Sequence, residues 1–411
     1  MVEVVRTPSI SVTTVPGGIA APEGFQAGSV HSGIKAAASA LDLTVIAAES
    51  AASAAGIFTT NLAQAAPVQV SRQHLQRTDG WARAVVINSG CANACTGDDG
   101  LSHAIQMATS TAGAIGCRPE EVLVASTGVI GVKLPIDRVL SGIRKAVGIL
   151  DRTGGAAAAR AIMTTDPSPK EHAGTVRTGH GSFTVGGMAK GAGMIEPNMA
   201  TMIGLLTTDA QVSPAILRKA LGSSARDTFN AITVDGECST NDTLFALASG
   251  ASGVAIDDET YPALLDGLLA VSRELAVAIV RGGEGATKLV AITVGGARTI
   301  DEARQVARTI ANSPLVKTAV HGADPNWGRI VAAAGRSGVA FDINALSVHV
   351  GGTVLFENGR PHDDLAPVAA QHLKGKTIQI DVSLGSGPAS ATIWACDLSA
   401  EYVRINGEYR T

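Results

Sequence analysis

The sequence predicts a mixed α/β protein, because short β-forming runs alternate with helix-period stretches along all 411 residues and punctuating turns are frequent, with 47 glycines. Ala84-Val-Val-Ile-Asn88 and Val122-Leu-Val-Ala125 are apolar at successive positions, as strands covered on both faces would be. A helix is expected over Leu101–Ala114, with Leu101, Ile105 and Ala108 on its buried face. Ser213 followed by Pro214 is an N-cap with proline at the first helical position, ahead of the stripe Ile216, Leu217, Ala220, Leu221. A long helix is expected from about Pro262 to Val280, ended by Gly282-Gly283. Another starts near Thr299, with Asp301 and Glu302 in its first turn, where carboxylates favour the helix dipole.

The strand Leu289–Val294 lies between those two helices. Ser347–Val350 and Thr353–Phe356 flank Gly351-Gly352 as a two-residue hairpin, and Thr377–Val382 and Ala391–Trp394 complete what reads as an antiparallel sheet. Gly154–Ala159 fits a linker or a helix interior equally well.

Composition narrows the function classes. Hydrophobic residues make up 45% and charged ones 17%, which excludes a disordered chain, and the net charge of -4 with scattered Lys and Arg gives no footprint for nucleic acid or an anionic membrane. A small-molecule partner is expected. Five cysteines are too few and odd in number for a disulfide scaffold, so they read as reduced thiols. Cys91 and Cys95 have no second Cys or His pair at zinc spacing, so no metal is expected and both are taken as buried and inert. With no signal-peptide pattern and no membrane-length apolar run, a cytoplasmic protein is expected.

The chemistry concentrates around Thr201. The run Lys190-Gly-Ala-Gly-Met-Ile-Glu-Pro-Asn-Met-Ala200-Thr201 is glycine-rich, is broken by proline and leads straight into an apolar strand. A threonine there can attack the preceding carbonyl and shift the acyl group from nitrogen to oxygen. Hydrolysis of that ester leaves a free α-amine, whose ordinary pKa of about 7.7 to 8.0 makes it a usable base for its own hydroxyl. On spacing alone a threonine at a strand start is an ordinary β-former.

The segment Lys190–Asp209 resembles the processing site of the ornithine acetyltransferase (glutamate N-acetyltransferase) family of arginine biosynthesis. The resemblance extends nearly end to end. It includes Gly17–Phe25, Ile57–Asn61, Asn88–Gly97, Ser126–Gly131, Ile162–Asp166, Val234–Asp242, Gly282–Lys288, Gly322–Arg329 and the tail Tyr402–Thr411, in the family's order. Cys91 departs from the asparagine expected at its position.

The resemblance implies a four-layer α/β/β/α sandwich, similar to N-terminal nucleophile hydrolases but differently connected. It implies cleavage between Ala200 and Thr201 into an α chain of residues 1–200 and a β chain of residues 201–411 that share one core, paired as α2β2. Thr201 would then take acetyl from N-acetylornithine and pass it to glutamate, with no cofactor. Thr127 and Gly128 match the oxyanion pair, and Thr164, Lys190, Thr201, Glu284, Asn406 and Thr411 match substrate-binding positions. The adjacent Thr165 leaves the choice of hydroxyl open, and the motifs do not decide whether acetyl-CoA also serves as donor. A rival reading is an amidase or aminopeptidase with the same threonine and water as acceptor; another is a non-catalytic amino-acid-binding protein. Gly282–Lys288 lacks the ending of a phosphate loop, Asp324, Trp327 and Arg329 read as structural, and His103, His321 and His349 take no role.

Overall fold

The structure, a computed structural model, describes residues 11–37, 39–196 and 202–408. Ala200, Thr201 and Thr411 therefore lie outside the described residues. The chain divides into a larger unit, running up to Asn230 and including Glu237–Ile279, and a smaller one of Ala231–Gly236 and the chain from Val280 onward.

The larger unit holds a nine-stranded sheet of β1 (Val12–Thr14), β2 (Phe25–Val30), β3 (Leu43–Phe58), β4 (Trp81–Cys91), β5 (Val122–Val129), β6 (Lys170–Thr178), β7 (Gly181–Lys190), β8 (Ile203–Thr208) and β9 (Thr243–Ala248). Its order is β1-β6-β7-β8-β9-β3-β4-β5, with β2 paired to β3. The long strand β3 is the hinge of this sheet. Its first part pairs with β2 and β4, the register breaks between Ala47 and Ala52, and Ser53–Phe58 pair with β9. The sheet consequently doubles back on itself: Ile46, Ile87 and Leu123 from one half share a core with Met188, Leu205 and Phe245 from the other.

Helices cover the outer faces. They are α1 (Ala66–Arg77), α2 (Gly97–Ile115), α3 (Ile136–Val147), α4 (Gly155–Ala161), α5 (Pro214–Arg226) and α6 (Tyr261–Arg281). The alternate residues Val45, Val86, Val122 and Val124 face α1, α2 and α3 in a second core. Behind the other half, Val271 and Leu275 of α6 press on Gly187 of β7, and α5 lies on β3 and β9. The predicted α/β/β/α layering is thus realised within the larger unit, with both faces of the central strands buried as their unbroken apolar runs require.

The smaller unit carries β10 (Leu289–Ala297), β11 (Ser347–Val350), β12 (Thr353–Glu357), β13 (Arg360–Pro361), β14 (Thr377–Ser383) and β15 (Ala389–Cys396) in the order β13-β12-β11-β14-β10-β15. Its helices are α7 (Ile300–Ala311), α8 (Pro314–His321), α9 (Trp327–Gly335), α10 (Ala366–Leu373) and α11 (Ala400–Glu408). Val290, Ile292 and Val294 of β10 pack with Val306 and Ile310 of α7 in its own core.

Several local expectations hold. Ser213 accepts from the Ile216 amide and Thr299 from the Glu302 amide, and Gly351 and Gly352 both take positive φ, as a hairpin turn of this kind demands. Gly154–Ala159 belongs to the start of helix α4 rather than a linker. Others are corrected. β10 pairs with β14 in parallel, so the second sheet is mixed rather than antiparallel. In α2 the expected stripe holds only at Ala108: Leu101 and Ile105 are 39% and 45% exposed, while Ala104 and Met107 are buried with Ala108. Small residues predominate on the inward face around Met107, and they let α2 lie close against α3 and β5.

Candidate active site

β4 and β5 run parallel and end side by side. Their register breaks at Gly90 and Cys91, opposite Gly128. Gly128 has φ of 129°, and a Cβ there would stand 2.3 Å from the Gly90 carbonyl carbon, so glycine is required both for its conformation and for the approach of the other backbone. Buried amides pin the two strand exits. Ser126 Oγ donates to Asn88 Oδ1 at 2.6 Å and Asn88 Nδ2 to the Cys91 carbonyl at 2.9 Å. Asn241 Nδ2 bridges the carbonyls of Ala92 (2.6 Å) and Ser126 (2.8 Å).

Thr127 follows immediately, buried on β5. Lys190, the last residue of β7, donates from Nζ to Thr127 Oγ1 at 3.2 Å. The two strands are far apart in sheet order, and the fold of the sheet over β3 is what brings them together. A hydroxyl that accepts from an ammonium still has its own hydrogen to give, so Thr127 is set up as a donor beside a positive charge. Donors fixed in place before charge develops are what an oxyanion needs.

Below Lys190 lies Asp166, with a fully buried side chain. Its Oδ1 accepts from Lys170 Nζ at 2.6 Å and from the Gly191 amide at 2.7 Å, and its Oδ2 from the Thr164 amide at 3.0 Å. Burial pushes this carboxyl up, but the Lys190 and Lys170 ammoniums and the hydrogen bonds outweigh it and hold the pKa at about 2. Lys35, half-buried, donates from Nζ to the carbonyls of Leu41 (2.9 Å) and Met163 (2.7 Å). Its pKa is lowered by burial against the pull of Asp42 and Asp166.

The sequence-predicted residues Thr127, Gly128, Lys190 and Thr164 are thus gathered in the larger unit. Thr164 and Thr165 are both half-buried, and it is the Thr164 backbone that Asp166 fixes. In the smaller unit, Glu284 and Asn406 meet: Asn406 Nδ2 donates to Glu284 Oε2 at 2.9 Å. The loop bearing Glu284 is sewn to the start of α11. Ser399 Oγ donates to the Gly285 carbonyl at 2.6 Å, and Asp397 accepts from the Thr287 and Lys288 amides at 2.8 and 2.9 Å.

Sequence reading missed Asp166, Asn241 and Lys35. Asp166 carried a signal, since it ends the Ile162–Asp166 motif and lies four residues before Lys170. The pairing of Cys91 and Cys95 as buried thiols is corrected: Cys91 is buried and burial raises its pKa, but Cys95 is exposed at a positive-φ turn.

The family model of the ArgJ family matches residues 26–411. The chain belongs to the ArgJ family. The arginine biosynthesis bifunctional protein ArgJ of Dehalococcoides mccartyi is 48% identical over 98% of this chain and 99% of its own. That of Parasynechococcus marenigrum is 46% identical over 97% of this chain and 96% of its own. A solved ornithine acetyltransferase from Mycobacterium tuberculosis, complexed with ornithine, is 43% identical over 46% of this chain and 99% of that one, with a TM-score of 0.43. The resemblance read from the motifs is therefore borne out as family membership, and with it the expectation of an enzyme of arginine biosynthesis. No helix among the described residues is long and apolar enough to cross a membrane.

Proposed function

We propose that this ArgJ-family chain cuts itself between Ala200 and Thr201 and then carries acetyl on Thr201 from N-acetylornithine to glutamate. In the first event Thr201 Oγ attacks the Ala200 carbonyl, the peptide nitrogen leaves as the Thr201 amine, and water hydrolyses the resulting ester. In turnover that amine takes the Thr201 hydroxyl proton while Oγ attacks the acetyl carbonyl of N-acetylornithine. Ornithine leaves with the proton, and the glutamate amine then attacks the acetyl ester and returns the proton to Oγ.

The observation that carries this reading is the Lys190–Thr127 hydrogen bond beside Gly128. Lys190 pairs in register with Ile203, two residues after the expected nucleophile, so the donor pair is built around the strand that Thr201 leads into. Thr127 Oγ and the Gly128 amide would hold the oxyanion in both half-reactions. On the resemblance, Thr164, Lys190, Thr201, Glu284, Asn406 and Thr411 would contact the amino acid. No cofactor takes part. The bifunctional designation of the relatives supports acetyl-CoA as a second donor.

The two products, residues 1–200 and 201–411, would stay together and pair as α2β2. Support for their association is that β7 and β8, on either side of the cut, are hydrogen-bonded neighbours and that Met188 and Leu205 share one core.

Intact mass spectrometry before and after brief exposure to N-acetylornithine tests the whole reading. A fragment beginning at Thr201 that gains one acetyl group, later delivered to labelled glutamate, is the expected result. A single uncut chain in active material would end it, and acetate instead of acetylglutamate would transfer the nucleophile to an amidase.

A further inference from the structure

We propose that Asp166 is a positioning residue, which holds Lys190 and Thr164 in register with the Thr127–Gly128 corner by receiving both chain segments on one carboxylate. The proposal deepens the acetyl-transfer reading and rests on it.

Two stretches distant in sequence converge on this side chain. From one, the Thr164 amide bonds Oδ2 at 3.0 Å; from the other, the Gly191 amide bonds Oδ1 at 2.7 Å, one residue after Lys190. Lys170 reaches Oδ1 at 2.6 Å from the start of β6, and both members of this ion pair are buried, at 2% and 0% exposure. The lysines within electrostatic reach of the carboxylate are therefore Lys170, Lys190 and Lys35, the last of which braces the same segment by donating to the Met163 carbonyl. A carboxylate suits this place because all its neighbours are donors, whereas an amide would turn one of its two ends into a donor facing another donor. Lys190 is thus fixed from both ends: its backbone by the neighbouring Gly191 on Asp166, and its ammonium by Thr127 and by the field of Asp166.

The test separates positioning from a merely structural ion pair. Asp166→Asn is expected to raise KM for N-acetylornithine about tenfold and to slow self-cleavage. Lys170→Gln, which leaves the carboxylate and its two backbone donors in place, should lower Tm yet keep KM within about threefold of wild type. In a cycle with Lys190→Met, Asp166→Asn should cost clearly less in KM than it does in the wild type, because one of the two arms of Asp166 acts through Lys190 while the other, through the Thr164 amide, remains. Equal KM changes in Asp166→Asn and Lys170→Gln, or losses that multiply in the cycle, overturn the proposal. Hydrogen exchange on the wild-type protein keeps it testable if a variant does not fold: the Gly191 and Thr164 amides should both be protected, and fast exchange at either rejects the bridge. Wild-type protein that delivers no acetyl to glutamate ends the acetyl-transfer reading; normal wild-type transfer with an unchanged Asp166→Asn variant ends this one alone.

Discussion

Lys190 Nζ donates to Thr127 Oγ1 across 3.2 Å, a bond between the last residue of one strand and a buried hydroxyl on another that is not its neighbour in the sheet. The ammonium polarises the hydroxyl, and the remaining hydroxyl hydrogen is the donor available to a developing oxyanion. Replacing Thr127 by Val keeps the β-branched shape and removes that donor. The expected result is a fall in kcat of about 10²- to 10³-fold with KM changed little, the scale of losing one oxyanion donor. Steady-state kinetics on the correctly cleaved variant check it, and a kcat within threefold of wild type would remove Thr127 from the role.

Gly128→Ala tests the corner itself. The positive φ costs an L side chain about 1–2 kcal/mol. A Cβ at 2.3 Å from the Gly90 carbonyl carbon adds overpacking of about 1–3 kcal/mol, against backbone that has no flexible end to move away. A loss of about 2–5 kcal/mol in urea unfolding, together with loss of activity, is expected. A shift under about 0.5 kcal/mol, the scale of an ordinary surface substitution, would mean that the β4–β5 junction opens readily.

How far the sequence could be read depended on the range of the interaction. Ser213, Thr299 and Gly351-Gly352 act on their own neighbours within three residues, and their caps and turn formed as their chemistry dictates. The buried face of α2 depended on a partner helix, and the large residues Leu101 and Ile105 misled because close packing favoured Ala104 and Ala108. The parallel pairing of β10 with β14 is likewise decided by which strands meet, not by their alternation. At the site, the residue types were legible through the family motifs, but the junction of Lys190 with Thr127, 63 residues apart, is created by the irregularity in β3. Asp166 was in view as part of a motif, and its function as a meeting point for two segments has no local signature.

Acid should weaken the larger unit through Asp166. Its folded carboxyl, at about 2, lies below the ordinary 3.8, so the unfolded chain binds the proton more readily at intermediate pH. The stabilisation, about 2 kcal/mol, is therefore complete well above the ordinary value and is lost as pH falls from about 5 toward 2. Urea midpoints measured across that range should fall for the wild type and fall less for Asp166→Asn, which has no proton to take up. Parallel slopes in the two proteins would show that Asp166 titrates alike folded and unfolded.

The Glu284–Asn406 pair offers a prediction in the smaller unit. Glu284 is 9% exposed and its loop is fastened by Ser399 and Asp397, so the carboxylate is held in place by the fold before any substrate arrives. Asn406 sits on exposed helix α11 and touches Glu284 through one hydrogen bond of 2.9 Å. If that carboxylate receives the ornithine ammonium, Glu284→Gln should raise KM for N-acetylornithine at least tenfold, since about 1.4 kcal/mol of lost attraction is already a factor of ten. KM for glutamate, which brings no side-chain ammonium, should change less. Asn406→Ala keeps the charge and loosens it, so a smaller rise in the same KM is expected with Tm nearly unchanged. Equal increases for both substrates in Glu284→Gln would show that the carboxylate supports the loop rather than reading the cation, because a displaced loop does not discriminate between a basic and an acidic side chain.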